Sequence, residues 1–170
     1  MSSLPHRPIA VCTGASFVRI NVHTGARVTD QGLVQGEAAA TLRLRRALAA
    51  ERIAIWADVD VKHSAPLGGA RPLLQEVEDL TRRGMADVVL VTGEGTGKGV
   101  DLEKLGAVKR ASGKPVLVAS GATLATLIAL ASSSDGVVVG SALREGSIPG
   151  GAIDVRLAKE FAAAFRDAFA

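Results

Sequence analysis

Short runs rich in Val and Ile alternate along this chain with longer stretches of helical period, and this alternation limits the fold more than any other feature. Repeated strand and helix units predict parallel strands joined by crossover helices, because a parallel pair needs a long connection. The predicted strands are Phe17–Val22, Ile53–Val61, Asp87–Thr92, Pro115–Ser120 and Gly136–Gly140. The predicted helices are Gln35–Ala50, Arg71–Gly84, Asp101–Ser112, Leu124–Ser132 and Ile153–Phe169. We therefore expect one α/β domain over residues 9–170, preceded by a tail at 1–8.

Residues at the ends of the predicted helices support these boundaries. Asp101 and Asp154 can accept hydrogen bonds from backbone N–H groups in the first turn of a helix. Gly84 and Gly113 follow predicted helices, where a residue in the left-handed conformation often ends the helix and glycine adopts it without strain.

Two of the predicted strands carry apolar side chains on one face and polar side chains on the other. Side chains alternate between the faces of a strand, and the odd positions of 53–61 are all apolar. Helices cover both faces of a doubly wound sheet, so both would be apolar there. The pattern favours a (β/α)8 TIM barrel, whose inner face opens at the carboxyl ends of the strands into the active-site mouth. The side chains expected at this mouth are Arg19, Asn21, Asp58, Asp60 and Lys62.

The last two predicted strands run into loops that have the features of a phosphate site. Ser120, Gly121 and Thr123 follow the first strand, and Gly140 and Ser141 end the second. Glycine lets backbone N–H groups approach a ligand, and a helix start adds partial positive charge. Phosphate-binding barrels use the loops after their last two strands. The pair of loops predicts phosphate binding; the alternative is that both glycines serve only tight turns.

Several polar residues admit more than one interpretation. Lys62 or Asp58 could transfer a proton, and Lys62 could instead stabilise an enolate or form a Schiff base. His63 is either an acid–base group or an ordinary polar loop residue. Asp58 and Asp60 could bind a divalent cation together with a phosphate, or could pair with Lys62 and Arg19. No cofactor is predicted.

The glycine-rich segment 92–99, TGEGTGKG, resembles a nucleotide-binding loop but lacks its spacing. Lys98 is followed by Gly99 where Ser or Thr is required, and Thr92 stands where the first glycine is required. The segment is therefore predicted to be a mobile loop at the mouth, able to fold over a bound ligand.

Composition argues against several classes of protein. A formal charge of +3, basic residues mixed with acidic ones, and an aromatic content of 3% argue against nucleic-acid binding. Cys12 is the only cysteine, so the chain cannot form an internal disulfide, and a reducing compartment fits best. No apolar run approaches the ~18 residues of a membrane span. We expect a cytoplasmic protein, at most peripheral to a membrane.

Five segments together resemble the BtpA/SgcQ family. They are FVRINVHTGARVTDQG (17–32), ADVDVKHSAPL (57–67), ADVVLVTGEGTG (86–97), PVLVASGAT (115–123) and DGVVVGSAL (135–143). The resemblance implies a (β/α)8 barrel of the ribulose-phosphate-binding kind. Photosynthetic members are linked to photosystem I biogenesis, and other members are regarded as enzymes of sugar metabolism.

The resemblance also assigns individual positions. Departures from the family pattern are Ala119, where Gly-Ser-Gly is common, and Ala125-Thr126, where Glu-Asn is usual. The polar positions that match the family are Arg19, Asn21, Asp30, Gln31, Asp58, Lys62, His63, Thr92 and Gly93.

A complete barrel takes ~250 residues, whereas this chain would supply only strands four to eight, with Ile9–Gly14 as the end of the third helix. Such a truncated barrel has open edges at the first and last strands, so we expect self-association or aggregation. The favoured function is an enzyme, lyase-like or isomerase-like, that binds a phosphorylated small molecule such as a sugar phosphate. The alternatives are a non-catalytic biogenesis or stability factor for a membrane complex, and an inactive shortened form.

Overall fold

A five-stranded parallel sheet forms the centre of the molecule. The computed structural model describes residues 6–93 and 99–170. The strands are β1 Phe17–Ile20, β2 Ala26–Thr29, β3 Gly32–Gln35, β4 Ala54–Val59, β5 Ser64–Pro66, β6 Val88–Val91, β7 Val116–Val118 and β8 Gly136–Val137. The α-helices are α1 His6–Thr13, α2 Ala38–Ala47, α3 Leu73–Glu78, α4 Leu102–Ser112, α5 Leu127–Ala131 and α6 Val155–Ala168.

The main sheet has the order β1-β4-β6-β7-β8, and all of its neighbouring strands are parallel. These are the five predicted strands. Each is shorter than expected, because strand pairing stops before the predicted carboxyl end. β1 and β8 are the edge strands among the described residues, as expected. Parallel strands point their carboxyl ends to one edge, so the loops that carry the candidate residues meet there.

One face of this sheet is covered by helices. Ala57 of β4, Val89 of β6 and Val116 of β7 are fully buried, as is Leu105 of α4. Burial of apolar surface is the main favourable contribution to folding, so this layer holds the domain together. Helix residues that pack against the sheet in the same cluster are Val77, Leu80, Leu105, Val108, Leu127, Leu130 and Phe161.

The other face of the sheet changes character along the strands. Near the amino ends, the Phe17 ring stacks on Trp56 with the ring centroids 3.8 Å apart. Asp58 follows Trp56 on this face and pairs in register with the fully buried Leu90. The odd and even faces predicted for Ile53–Val61 are therefore confirmed as far as Val59, where β4 ends.

A second, three-stranded antiparallel sheet was missed by the sequence analysis. β2 pairs with both β3 and β5, and we call these three strands the ribbon. Its strands have only three or four residues. This is too few for a sustained alternation of apolar and polar residues, so the sequence pattern does not predict them. The hairpin turn between β2 and β3 is closed by Thr29, whose hydroxyl donates to the carbonyl of Gly32 at 3.0 Å.

Two helices begin as predicted, and two are less regular than predicted. The Asp101 carboxylate accepts from the Glu103 N–H at 2.8 Å, and Asp154 accepts from the Arg156 N–H at 2.8 Å. The predicted helix 71–84 consists of α3 and a π-helical turn at Asp79–Arg83. The predicted helix 124–132 consists of a 3₁₀ turn at Leu124–Thr126 and the short α5. No helix in the described ranges combines the length and apolar character that crossing a membrane requires.

Gly84 has a different role from the one predicted. Gly113 ends α4 in the left-handed conformation with φ 59°, as expected, but Gly84 has φ −76°. Glycine is required at position 84 because there is no space for a side chain. A Cβ atom there would lie 2.7 Å from the Leu80 carbonyl oxygen and 2.9 Å from Cγ2 of Thr24.

Substitution of Gly84 by Ala is expected to lower the free energy of unfolding by about 1–3 kcal/mol, because backbone atoms would have to move. Gly106→Ala in α4 is the matched control. Its added Cβ would meet only the flexible end of Arg110, at 3.2 Å, and alanine favours helix by up to about 1 kcal/mol. Urea denaturation of both variants checks this, and equal losses would contradict the steric explanation.

Candidate functional site

An arginine–aspartate pair lies at the carboxyl side of β1 and β4. Arg19 Nη2 donates to Asp58 Oδ1 at 2.7 Å, and Arg19 Nε donates to Asp58 Oδ2 at 2.9 Å. The two parallel bonds fix the plane of the guanidinium. Asn21 Nδ2 adds a longer contact to Asp58 Oδ2, at 3.4 Å. The structure therefore brings together three of the five side chains predicted at the mouth.

The two members of this pair differ in exposure, and their pKa values follow from that difference. The Asp58 side chain is 1% exposed, whereas that of Arg19 is 34% exposed. The hydrogen bond to Asp58 raises the pKa of Arg19. Burial raises the pKa of Asp58, and the opposing effects of Arg19 and Lys62 are smaller. Because the carboxyl group has lost more of its water, its ionised form bears most of the desolvation penalty.

Asp60 lines the same cavity as Asp58 but has different partners. β4 ends at Val59, and Asp60 adopts φ 47°, which is unusual for a residue other than glycine and breaks the alternation of faces. Its Oδ1 accepts from Arg27 Nη2 at 3.1 Å, and its Oδ2 accepts from Lys104 Nζ at 2.5 Å. Burial raises the pKa of Asp60, but Lys104 and Arg27 outweigh burial, so the pKa is lowered overall.

Arg27 links the ribbon to the main sheet and was not recognised from the sequence. Its side chain is 10% exposed, and besides Asp60 it donates to Ser64 Oγ at 2.7 Å and to Glu76 Oε2 at 3.3 Å. These partners come from the loop after β4, from β5 and from α3. A single charge between Ala26 and Val28 in the sequence was the only signal, and it does not identify partners so distant in the chain.

Lys62 connects the candidate catalytic residues near β4 with the candidate phosphate-binding loop after β7. Its Nζ donates to Ser120 Oγ at 3.4 Å, across 58 positions of sequence, so the end of β4 and the loop after β7 are in contact. His63, the next residue, is exposed and has φ 55°. The turn at 60–63 thus holds two non-glycine residues in the left-handed region on either side of Lys62, a kind of strain that is frequent at functional sites.

The loop after β7 has part of the predicted geometry. Gly121 is exposed with φ 87°, a conformation that favours glycine. The Thr123 N–H donates to Thr126 Oγ1 at 3.0 Å, so this N–H is already engaged within the turn. The expected helix start is a 3₁₀ turn before a helix of five residues, which gives a weaker dipole than a long helix. The contribution of the helix start is therefore smaller than predicted.

The loop after β8 is open to solvent. Gly140 and Ser141 are exposed, and a Cβ atom at Gly140 would have no neighbour within 4 Å. Ser141 begins a 3₁₀ turn at Ser141–Leu143, not an α-helix. At the end of β6, Thr92 is buried, and its Oγ1 has no hydrogen-bond partner among the described residues. The predicted mobile loop at 92–99 lies largely outside the described residues.

A cavity of about 200 Å³ lies between the ribbon, α3 and the carboxyl ends of β1 and β4. Asn21, Asp58 and Asp60 line it together with Arg27 and Glu76. Metal binding by both aspartates is disfavoured because each faces its own cation, Arg19 or Lys104. Within 6–93 and 99–170, no group of three or more His, Cys, Asp or Glu side chains is placed to hold a metal ion.

The opposite pKa shifts of the two aspartates predict opposite pH effects on stability. Stability contributed by Asp60 is present above the usual pKa of 3.8 and is lost as the pH falls through the lowered value. The stability contributed by Asp58 is present below pH 3.8, and it is lost as the pH rises through the raised pKa of Asp58 in the folded chain. Urea denaturation from pH 3 to pH 7 should show the deficit of Asp60→Asn shrinking at low pH and that of Asp58→Asn growing. Parallel curves would contradict both assignments.

These features define an α/β protein with a mainly parallel sheet and polar residues at the carboxyl edge of that sheet. The BtpA family model matches residues 3–167, and the chain belongs to the BtpA family. It is 45% identical over 142 residues to the photosystem I biogenesis protein BtpA of Synechocystis, covering 82% of this chain and 49% of that protein. An uncharacterised protein of Methanocaldococcus jannaschii is 37% identical over 89% of this chain and 57% of its own length. The chain thus spans about half the length of these relatives.

Two solved structures share the fold. The YdjI aldolase of Escherichia coli superposes with a TM-score of 0.54 at 14% identity, over 99% of this chain and 62% of that one. The Amycolatopsis orientalis BexX/CysO complex gives a TM-score of 0.53 at 18% identity, over 96% of this chain and 58% of that one. At these identities the likeness concerns the fold alone.

Proposed function

We propose that this chain forms the phosphate-binding part of a (β/α)8 barrel, corresponding to strands four to eight, and that it binds a phosphorylated small molecule such as a sugar phosphate. The observation that carries the proposal is the contact between Lys62 and Ser120. It places an ammonium group beside the loop whose glycine adopts the left-handed conformation. A cation with three donors next to exposed backbone N–H groups is suited to a phosphate dianion.

In this proposal the phosphate lies between the loops after β7 and β8. The donors would be the Ser120 and Ser141 hydroxyls and backbone N–H groups near Gly121 and Gly140, with Thr123 contributing its hydroxyl. Because α5 has only five residues, its dipole adds little. The attraction for phosphate therefore has to come mainly from Lys62 and from several hydrogen bonds together. Sulfate and other anions of similar shape would compete for the same site.

We assign the chemical step to the opposite side of the ligand. Arg19, held by Asp58, presents a fixed guanidinium that can stabilise negative charge developing on a substrate oxygen. Lys62 is placed between this pair and the phosphate, where it can move a proton or stabilise an enolate. Asp58 orients Arg19, Asn21 contacts Asp58, and His63 lies exposed beside Lys62. Asp60 acts indirectly by fixing the turn before Lys62.

Thermal unfolding in different anions tests this proposal. A ligand that binds the folded chain raises the melting temperature in proportion to its saturation of the site. Inorganic phosphate and ribose 5-phosphate should raise the melting temperature above that in chloride of equal ionic strength. A melting temperature that is the same in all of these solutions would contradict phosphate binding by this chain.

A second candidate function is a cytoplasmic assembly or stability factor that acts at the surface of a membrane complex. The observation that favours it is the 45% identity to a photosystem I biogenesis protein. The open edges at β1 and β8 are surfaces through which strands of a partner or of a second copy could add. Restoration of photosystem I levels by this chain in a cyanobacterium that lacks its own BtpA would support this function, and failure of a stably expressed chain to do so would contradict it.

A further inference from the structure

The cavity under the ribbon has a size that limits its ligand to a small group. Its volume is about 200 Å³, below the ~300 Å³ at which pockets for drug-sized ligands begin. The lining includes apolar groups of Val59, Pro66 and Leu80 beside polar groups of Arg27 and Glu76. A chain of a few carbon atoms with polar substituents matches both the volume and this mixture.

The charges around the cavity disfavour a phosphate group as its occupant. Three carboxylates line it, those of Asp58, Asp60 and Glu76, against the guanidinium groups of Arg27 and Arg71. Arg27 is already bonded to Asp60 and Glu76, and Arg71 donates to Asp79 at 2.5 Å. Arg19 and Lys104 pair with Asp58 and Asp60 in the same way, so each of these cations is already bonded to a carboxylate and none is left to neutralise a dianion. An uncharged group that donates hydrogen bonds is favoured.

Hydrogen-bonding capacity remains on the cavity wall for such a group. Glu76 Oε2 accepts from Arg27 at 3.3 Å, a long bond, and Oε1 accepts none from the described residues. Among the described residues, the Asn21 side chain contacts only Asp58, at 3.4 Å, which leaves most of its amide available. A ligand hydroxyl can donate to the Glu76 carboxylate, and a second hydroxyl can bond the Asn21 amide.

The cavity adjoins the segment that carries Lys62. Asp60 and Val61 line the cavity, and Lys62, the next residue, extends to Ser120 in the loop after β7. The segment after β4 therefore contributes to both features: Asp60 and Val61 line the cavity, and Lys62 contacts the loop after β7. A single ligand that uses both would have its phosphate at Ser120 and its uncharged polar end in the cavity, on the two sides of Lys62.

We infer that this cavity binds the hydroxyl-bearing, uncharged end of a phosphate monoester, with Glu76 and Asn21 as the residues that select hydroxyl groups. The inference rests on the proposed phosphate site, and it narrows the ligand class to polyol phosphates, which include sugar phosphates. Esters with an apolar alkyl group in place of the polyol leave the Glu76 carboxylate without its hydroxyl partner and are discriminated against.

Titration calorimetry with two esters of equal length tests the inference. Glycerol 3-phosphate and n-propyl phosphate carry the same phosphate and three carbon atoms, and differ by two hydroxyl groups. Glycerol 3-phosphate should bind about tenfold more tightly, as expected for one or two hydrogen bonds. Equal affinity of the two esters would overturn the cavity assignment and leave the phosphate site intact. Absence of binding by both esters and by inorganic phosphate would instead overturn the proposed function.

A pair of variants in α3 locates the selectivity. Glu76→Gln should reduce the preference for glycerol 3-phosphate to less than threefold, while n-propyl phosphate binds as before and so reports that the site is folded. Glu78→Gln is the matched control because Glu78 lies two residues further, is exposed and pairs with Arg82 on the surface. It should keep the full preference. The same preference in both variants would exclude Glu76 as the selecting residue. The comparison of the two esters on the unmodified chain tests the cavity assignment independently of these variants.

Discussion

Replacement of Arg27 by Ala is expected to lower the free energy of unfolding by about 3 kcal/mol. The guanidinium is 10% exposed and bonds three side chains from three different elements. Removing one partner of a buried ion pair costs about 3–5 kcal/mol when the remaining charge has no other partner. Asp60 retains Lys104, so the loss falls at the lower end of that range.

Chemical denaturation measures the loss, and hydrogen exchange shows where it arises. The amides of the ribbon at Val28 and Leu33 should exchange faster, because Arg27 bonds the ribbon to α3 and to the turn after β4, whereas Leu90 in the main sheet should be affected less. Arg43→Ala, at an exposed position of α2, is the control and should change stability by less than about 0.5 kcal/mol. Similar losses in the two variants would show that the Arg27 bonds contribute no more than a surface charge.

Replacement of Lys62 by Met is expected to weaken phosphate binding by about 10–100-fold, the range for loss of one charged hydrogen bond. The apolar part of the side chain is retained, so the fold and the melting temperature without ligand should change little. Isothermal titration with inorganic phosphate and with ribose 5-phosphate measures the effect.

Lys114→Met is the matched control for Lys62. Lys114 is exposed and precedes β7, so it lies at the amino end of the strand whose carboxyl end carries Ser120. It has the same charge but is remote from the carboxyl edge, and its variant should keep full affinity. If both variants lose affinity equally, net charge and not a local site would account for anion binding.

The sequence predicted the main sheet because its strands follow a strong local rule. Apolar residues at alternate positions must lie on one face, and this places Ile55, Ala57 and Val59 against the helices. The same rule correctly placed Arg19 and Asp58 together on the other face. The rule does not extend beyond β4, because Asp60 adopts a left-handed backbone conformation, and its bonds to Arg27 and Lys104 could not be read from the alternation.

Other features depend on contacts that no local pattern encodes. Gly84 was predicted to end a helix. Glycine is needed there because a side chain would clash with Leu80 and with Thr24, which is 60 positions away. The ribbon has strands too short to show a period, and Arg27 joins it to α3 and to the turn after β4 through partners that are distant in the sequence. The start of the predicted helix at 124 forms a 3₁₀ turn, in which Thr126 Oγ1 accepts from the Thr123 N–H, so one N–H group of this loop is engaged within the turn.

The roles of the candidate site residues remain predictions that binding measurements decide. The structure supplies one contact that the sequence could not, between Lys62 and Ser120, and it supplies a cavity at the other side of the same turn. Because these two features lie on either side of residues 60–63, the strained turn is the element that would align the two ends of a ligand.

Phosphate is proposed to bind between the loops after β7 and β8, and a phosphate titration followed by ¹⁵N–¹H NMR tests this claim. The predicted result is a saturable change in the backbone amide signals of Gly121, Ala122, Gly140 and Ser141, with one dissociation constant common to all four and with Lys62→Met abolishing the change. Signals that move only elsewhere in the chain, or four signals that do not respond at all, would contradict the claim.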